Sequence, residues 1–245
     1  WKDEVVPWLR RLSDDVHELD TAVMIQLTHM GHRSSSMTHD GLPAISASNV
    51  REPSHRAFTK AAEHWELDDI TQDFVDAAQR CVAAGLDGIE LMMYGHFLDS
   101  FITPYWNHRD DEYGGSYENR MRFPLQVLAA IKAAVPDDFL VGARLSFDER
   151  RDGGQDQAES FTTAKDLVAG GLDFVSATQG SIESDAAIAY VNARPRPLAL
   201  YHFDHDRART ERVLERTIAG GVSVNDTVMH IAQSELPFGG VGPSG

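Results

Sequence analysis

The 245-residue chain is 42% hydrophobic and 24% charged, the balance of a soluble globular protein with apolar mass for one large α/β domain or two small ones. Its formal net charge of −16 excludes the basic footprint that nucleic acid or an anionic membrane surface requires, so neither is expected as a partner. No run of about 18 apolar residues is present to span a bilayer, and the lone Cys81 rules out an internal disulfide and fits a reducing, cytoplasmic setting.

The chain opens on Trp1 without a methionine, a basic stretch or a signal-like apolar core, and reads as a piece of something longer. The first predicted strand is AVMIQLTHM (22–30). Residues 31–67 have little periodicity, and a loop of that length is usually functional. DDITQDFVDAAQRCVAAG (68–85) predicts a helix with Ile70, Phe74, Ala77, Cys81 and Val82 on one stripe, Asp68 or Asp69 as cap, and Gly85 as the stop. Cys81 has no C-x-x-C partner and reads as a buried structural thiol. DGIELMMY (87–94) predicts a second strand, and 95–120 a second long loop. The acidic cluster Asp110, Asp111, Glu112 lacks the spacing of a metal cage and reads as a solvated face, so no metal is expected. FPLQVLAAIKAA (123–134) places Pro124 near a first helical turn, where its missing N–H costs little. FLVGARLS (139–146), the helix ESFTTAKDLVAGG (159–171) and LDFVSAT (172–178) complete this part.

Apolar strands alternating with helices mean a parallel sheet covered by helices. Gln26, His29, Glu90, Tyr94, His96 and Arg144 gather at the C-terminal strand ends, where a (β/α)8 barrel builds its active site. After about residue 183 the texture changes. RPRPLALYHFDHD carries prolines and then a strand-like run, RARTERVLERTIAGG is a basic amphipathic helix, and VSVND is another strand, together a second β-α-β unit. The chain ends LPFGGVGPSG, in which Gly240, Gly242 and Gly245 spell G-x-G-x-x-G. A dinucleotide loop must open a helix whose N-terminus holds the pyrophosphate. No helix follows here and Pro243 removes an amide, so the stretch reads as a tight turn.

QLTHMG (26–31), GLDGIEL (85–91), DEYGGSYENRMRF (111–123) and VGARLS (141–146), in that order, resemble the old yellow enzyme family of flavin oxidoreductases over residues 1–184. REPSHRAF (51–58) and MYGHFLDSF (93–101) resemble its N-methylproline and dimethylglycine demethylase branch. Read by itself, DEYGGSYENR is a tight loop that seeds the next helix, with Glu118 and Arg120 in ion pairs. The resemblance implies FMN and a partial TIM (β/α)8 barrel, the four strands corresponding to the third to sixth of the full barrel. It implies that Gln26 bonds the flavin pyrimidine and that Arg144 offsets the negative charge a reduced ring gathers at its N1/O2 edge.

Many family members place two His/Asn residues and then a tyrosine after the fourth strand. MMYGHFLD is one residue shorter, so Tyr94 falls where the second His/Asn would be and His96 where the tyrosine would be. This departure turns the expectation from ene reduction towards oxidative N-demethylation of a small tertiary amine. His96 would accept the ammonium proton, and Tyr94 would orient it or pack against the cation. Read without the resemblance, His96 caps the following segment and Tyr94 packs. His29 touches either the flavin or the barrel wall.

From about 185 to 245 the sequence, including ERVLERTIAGGVSVND and LPFGGVGPSG, resembles the late catalytic-domain segment of a coniferyl-type aldehyde dehydrogenase. The nucleophilic cysteine, general-base glutamate and nucleotide domain of that family are missing, so no aldehyde chemistry is expected. The two resemblances meet near Ser184–Ala187, giving expected domains of 1–184 and 185–245. The function expected is FMN-dependent oxidation of a small amine, impaired because strands of the barrel are missing. The alternative is a non-catalytic fragment that binds no cofactor.

Overall fold

The computed structural model describes residues 2–34, 43–51, 58–149, 151–178, 199–202, 207–216 and 221–224. Most of REPSHRAF, the Ser184–Ala187 junction and LPFGGVGPSG lie outside these residues. Two compact units are present, Trp1–Gln179 and Gly180–Gly245.

The first unit begins with helix α1 (Val6–His17), whose first turn holds Pro7, and strand β1 (Met24–Leu27). Within the first long loop lie two short strands, β2 (Ile45–Ser46) and β3 (Lys60–Ala61), paired in parallel. Helix α2 (His64–Ala83) follows. It starts four positions before Asp68, because Glu63 and Glu66 form a reciprocal capping box; Asp68 and Asp69 therefore lie inside the helix and do not cap it. Its buried stripe is Leu67, Ile70, Phe74, Val75, Ala78 and Cys81, so Ala78 takes the place expected for Ala77. Gly85 ends the helix as expected, at φ +77.

Strand β4 (Gly88–Met93) leads to a six-residue helix, α3 (Phe97–Ile102), in what reads as aperiodic loop. All six residues of α3 are buried, so no polar face marks it in the sequence. Its Phe97 and Phe101 rings meet 5.4 Å apart, and Phe101 meets Phe123 at 4.7 Å, forming an aromatic centre to the core. Helix α4 (Tyr117–Ala134) is capped by Ser116, whose hydroxyl accepts from the Asn119 amide at 3.3 Å. Pro124 thus lies well inside α4 and not in its first turn. DEYGGSYENR does seed this helix, and Arg120 pairs with Glu159. Strand β5 (Leu140–Ser146), helix α5 (Gln157–Ala169) and strand β6 (Phe174–Thr178) complete the unit.

The main sheet has the order β1-β4-β5-β6, parallel throughout. The α/β class and the parallel sheet expected from the alternation are therefore present. On its helix-covered face Ile89, Leu91, Val141 and Ala143 are fully buried. No helix among the described residues is long and apolar enough to cross a membrane.

In the second unit, strand β7 (Ala199–His202), helix α6 (Arg207–Arg216) and strand β8 (Gly221–Val224) form a β-α-β segment. Its two strands pair in parallel, with Ala199 opposite Gly221.

Candidate active site

The side chains of Gln26, Glu90, Arg144 and Ser176 come together in one polar row across four adjacent strands. Strand register brings this about. Gln26 is opposite Glu90 on β1 and β4, and Arg144 is opposite Ser176 on β5 and β6. Glu90 is the hub. Its Oε1 accepts from Gln26 Nε2 at 2.6 Å and from Arg144 Nε at 3.0 Å, and its Oε2 accepts from the Ser176 hydroxyl. Burial alone would push the Glu90 carboxyl up, but the bonds from Ser176, Gln26 and Arg144, together with the Arg144 charge, hold it below the usual carboxylate range. Gly142, opposite Glu90, leaves room on this layer, since a Cβ there would strike the Phe174 ring.

Tyr94 and His96 follow the end of β4, joined to one another through backbone. His96 Nδ1 lies 2.7 Å from the Tyr94 carbonyl oxygen. A carbonyl only accepts, so Nδ1 carries the proton and Nε2 is left as the acceptor. His96 occupies the cap position of α3, yet its side chain makes no capping bond to that helix. Burial lowers its pKa, and Arg33 adds to the effect, while the Tyr94 carbonyl works the other way. Arg33 lies against the same turn, since a Cβ on Gly95 would meet its guanidinium at 3.0 Å. Gly95 itself needs φ +66, a conformation glycine adopts without strain.

His29 packs against Phe97. Its ring is 4.6 Å from that of Phe97, and its carbonyl accepts from the Phe97 amide at 3.1 Å. Burial lowers its pKa.

Sequence reasoning missed the buried carboxyls behind the turn. Asp99 Oδ2 accepts from the Gly95 amide at 2.8 Å and so fixes the backbone that presents His96. Burial and the nearby Glu149 push the Asp99 carboxyl up. Glu149 Oε2 accepts from the Thr103 hydroxyl at 2.6 Å and the Gln155 amide at 2.7 Å. Asp99 stands in the expected loop 95–120 and carries no sequence signal of burial. Cys81 is buried as expected, its thiol pushed up to about 11 by burial, which leaves it inert.

Residues 1–231 match the NADH:flavin oxidoreductase / NADH oxidase family. A probable N-methylproline demethylase of Rhizobium meliloti is 46% identical over 192 residues, which is 78% of this chain and 28% of that protein. Histamine dehydrogenase from Rhizobium sp. 4-9 superposes with a TM-score of 0.68 at 26% identity, over 91% of this chain and 32% of that one. A separate stretch of 59 residues, 24% of the chain, is 64% identical to 12% of a probable coniferyl aldehyde dehydrogenase of Pseudomonas aeruginosa. The chain therefore spans about a third or less of the length of each of these proteins.

Proposed function

Because the chain belongs to the NADH:flavin oxidoreductase / NADH oxidase family, we propose that its first part binds FMN on the open face of the β1-β4-β5-β6 sheet and serves the oxidative N-demethylation of a small tertiary amine. In this reading the sheet is an arc of a (β/α)8 barrel, the barrel part runs over 1–184, and 185–245 is an aldehyde dehydrogenase-like appendage without catalysis of its own.

The donor set supports the flavin. Among the described residues Arg144 bonds Glu90 through Nε, and the outer nitrogens of its guanidinium would meet an anionic ring edge. Gln26 spends its amide NH2 on Glu90 and keeps a carbonyl to accept from a ring N–H. When bound, FMN supplies the two-electron acceptor. The chain's own groups do the rest. His96 Nε2 takes the ammonium proton, which frees the nitrogen lone pair. Tyr94, beside it, orients the ring and faces the cation. After the N-methyl C–H has left as hydride, water hydrolyses the iminium to formaldehyde and the demethylated amine.

The observation that carries the amine reading is the His96 ring, fixed through Nδ1 by the Tyr94 carbonyl, with its Nε2 acceptor without a partner among the described residues and its pKa lowered by burial. The test is to purify the chain with added FMN and record its visible spectrum after gel filtration. Flavin co-eluting with wild type but not with Arg144→Ala is expected, followed by formaldehyde release from N-methylated amines that falls about 100-fold or more in His96→Gln. A colourless protein would sink the proposal. It would support the second reading, a piece that holds no cofactor. One observation favours that reading: β1 and β6 have a single strand neighbour each among the described residues, where a closed barrel gives every strand two.

A further inference from the structure

A second convergence of side chains lies outside the polar row and has no part in the flavin reading. His64 is the first residue of α2, and Asp111 lies 47 positions further along. One ligand atom from each of His64, Asp111 and Glu112 falls within 4.8 Å of the other two. His64 Nε2 is 3.4 Å from Asp111 Oδ2 and 3.8 Å from Glu112 Oε1. Ligands about 2.1 Å from a tetrahedral ion sit about 3.4 Å from one another, so little movement would close the set. We propose that His64, Asp111 and Glu112 bind a divalent transition-metal ion at the rim of a pocket of about 560 Å³ that His64, His108, Asp110 and Asp111 help to line.

Two of the three ligands are already oriented. Asp111 Oδ1 accepts from Arg109 Nε at 2.9 Å and from the Tyr113 amide at 3.0 Å. Its Oδ2, the oxygen nearest His64, accepts from Arg109 Nη2 at 2.5 Å and Nε at 3.1 Å, so an ion would share this oxygen with the guanidinium. Arg109 is in turn held by the carbonyls of Ala47 at 3.0 Å and Ala62 at 2.7 Å. The His64 ring stands edge-on to Tyr113, 5.6 Å between centroids. Such outer partners fix ligands before an ion arrives. Glu112 is the exposed arm that completes the set.

One imidazole nitrogen and two carboxylate oxygens suit borderline ions such as Zn²⁺, Ni²⁺ or Co²⁺ better than Ca²⁺, which prefers six to eight oxygens. The charge balance is mixed. Arg109 and the positive start of α2 oppose a cation, whereas Glu112, Asp110 and the capping Glu63 and Glu66 favour one. The run 110–112 alone has no nitrogen ligand, and only the fold brings His64 to it. A bound ion would tie the start of α2 to the 107–116 loop, and three protein ligands leave a position for water or a small ligand from the pocket.

The experiment is calorimetric titration of the untagged full chain with ZnCl2, repeated with NiCl2, at pH 7.5 in a non-coordinating buffer. With 11 histidines in the chain, the variants identify the site. A one-to-one site is expected, weakened about tenfold or more in His64→Ala and in Glu112→Gln and unchanged in His108→Ala. Zinc should also raise the melting temperature of wild type and not that of His64→Ala. The same affinity in His64→Ala as in wild type, or no one-to-one site at all, would overturn the proposal. His64 and Glu112 are more than half exposed, so these variants keep the fold, which circular dichroism checks.

Discussion

Glu90 accepts hydrogen bonds from side chains on the three other strands of the sheet while most of its own side chain is out of water. Removing the acceptor leaves the Gln26, Arg144 and Ser176 donors without it, so Glu90→Ala should cost about 1–3 kcal/mol in urea unfolding. Gln26→Ala, on an exposed edge-strand position, should cost clearly less. The histidines make a pH prediction. His29 and His96 both have folded pKa values lowered mainly by burial, so the unfolded chain holds those protons more tightly. The corresponding stability is complete above the unfolded imidazole range, about 6.5, and is lost as pH falls through the lower folded values. Unfolding free energies at pH 7.5 and pH 5 should differ less in a His29→Asn, His96→Gln double variant than in wild type. Residue identity was partly legible: Glu90, Gln26 and Arg144 read as strand-end polar groups. That Glu90 joins the other two was not, because register between strands 64 and 54 positions apart decides it. Arg33 and Asp99 gave no signal, one in an aperiodic loop and the other on a wholly buried turn of helix.

Among the elements, α2 and α3 respond to different chemistry. Glu66 closes the capping box of α2 and also receives Lys60 Nζ at 3.0 Å. Glu66→Ala should lower stability by about 1 kcal/mol, read as a lower urea midpoint. Asp99, in the first turn of α3, has a raised pKa, so its protonated form is favoured by folding. Its stabilising share is complete below the ordinary carboxylate range, about 3.9, and is lost as pH rises through the higher folded value. Asp99→Asn keeps an acceptor for the Gly95 amide and removes the ionisation, so it should melt higher relative to wild type at pH 8.5 than at pH 5. The four strands of the main sheet were legible because each is a short apolar run, whereas β2 and β3, two residues each within an aperiodic stretch, were not. Helix starts were not: Glu63 is a less usual cap than Ser or Asp, and Ser116 was hidden in a polar, glycine-containing stretch that suits a loop equally well.

For the molecule as a whole, the first unit carries the aromatic centre and the sheet, and residues 1–179 expressed alone should melt cooperatively in a circular dichroism scan. The α/β class followed from alternation, whereas the proposed arc of a barrel depends on pairings that no local pattern encodes. The all-parallel sheet also sets an order of assembly. Pairing β5 with β6 brings together Val141 and Asp173, 32 positions apart, whereas β1 meets β4 across 64 positions, a loop twice as long. Doubling a loop adds only about 0.6 kcal/mol of closure entropy, but β1 also has to wait for α2 and β4, its only neighbour in the described sheet, to exist. During synthesis β1 leaves the ribosome well before β4, whereas β5 and then β6 can each join a neighbour that is already made. The β1 residues Ile25 and Leu27 stay uncovered until α2 and β4 are made, so the nascent chain offers a chaperone a sticky strand for that interval, and the polar row closes only when β6 brings Ser176.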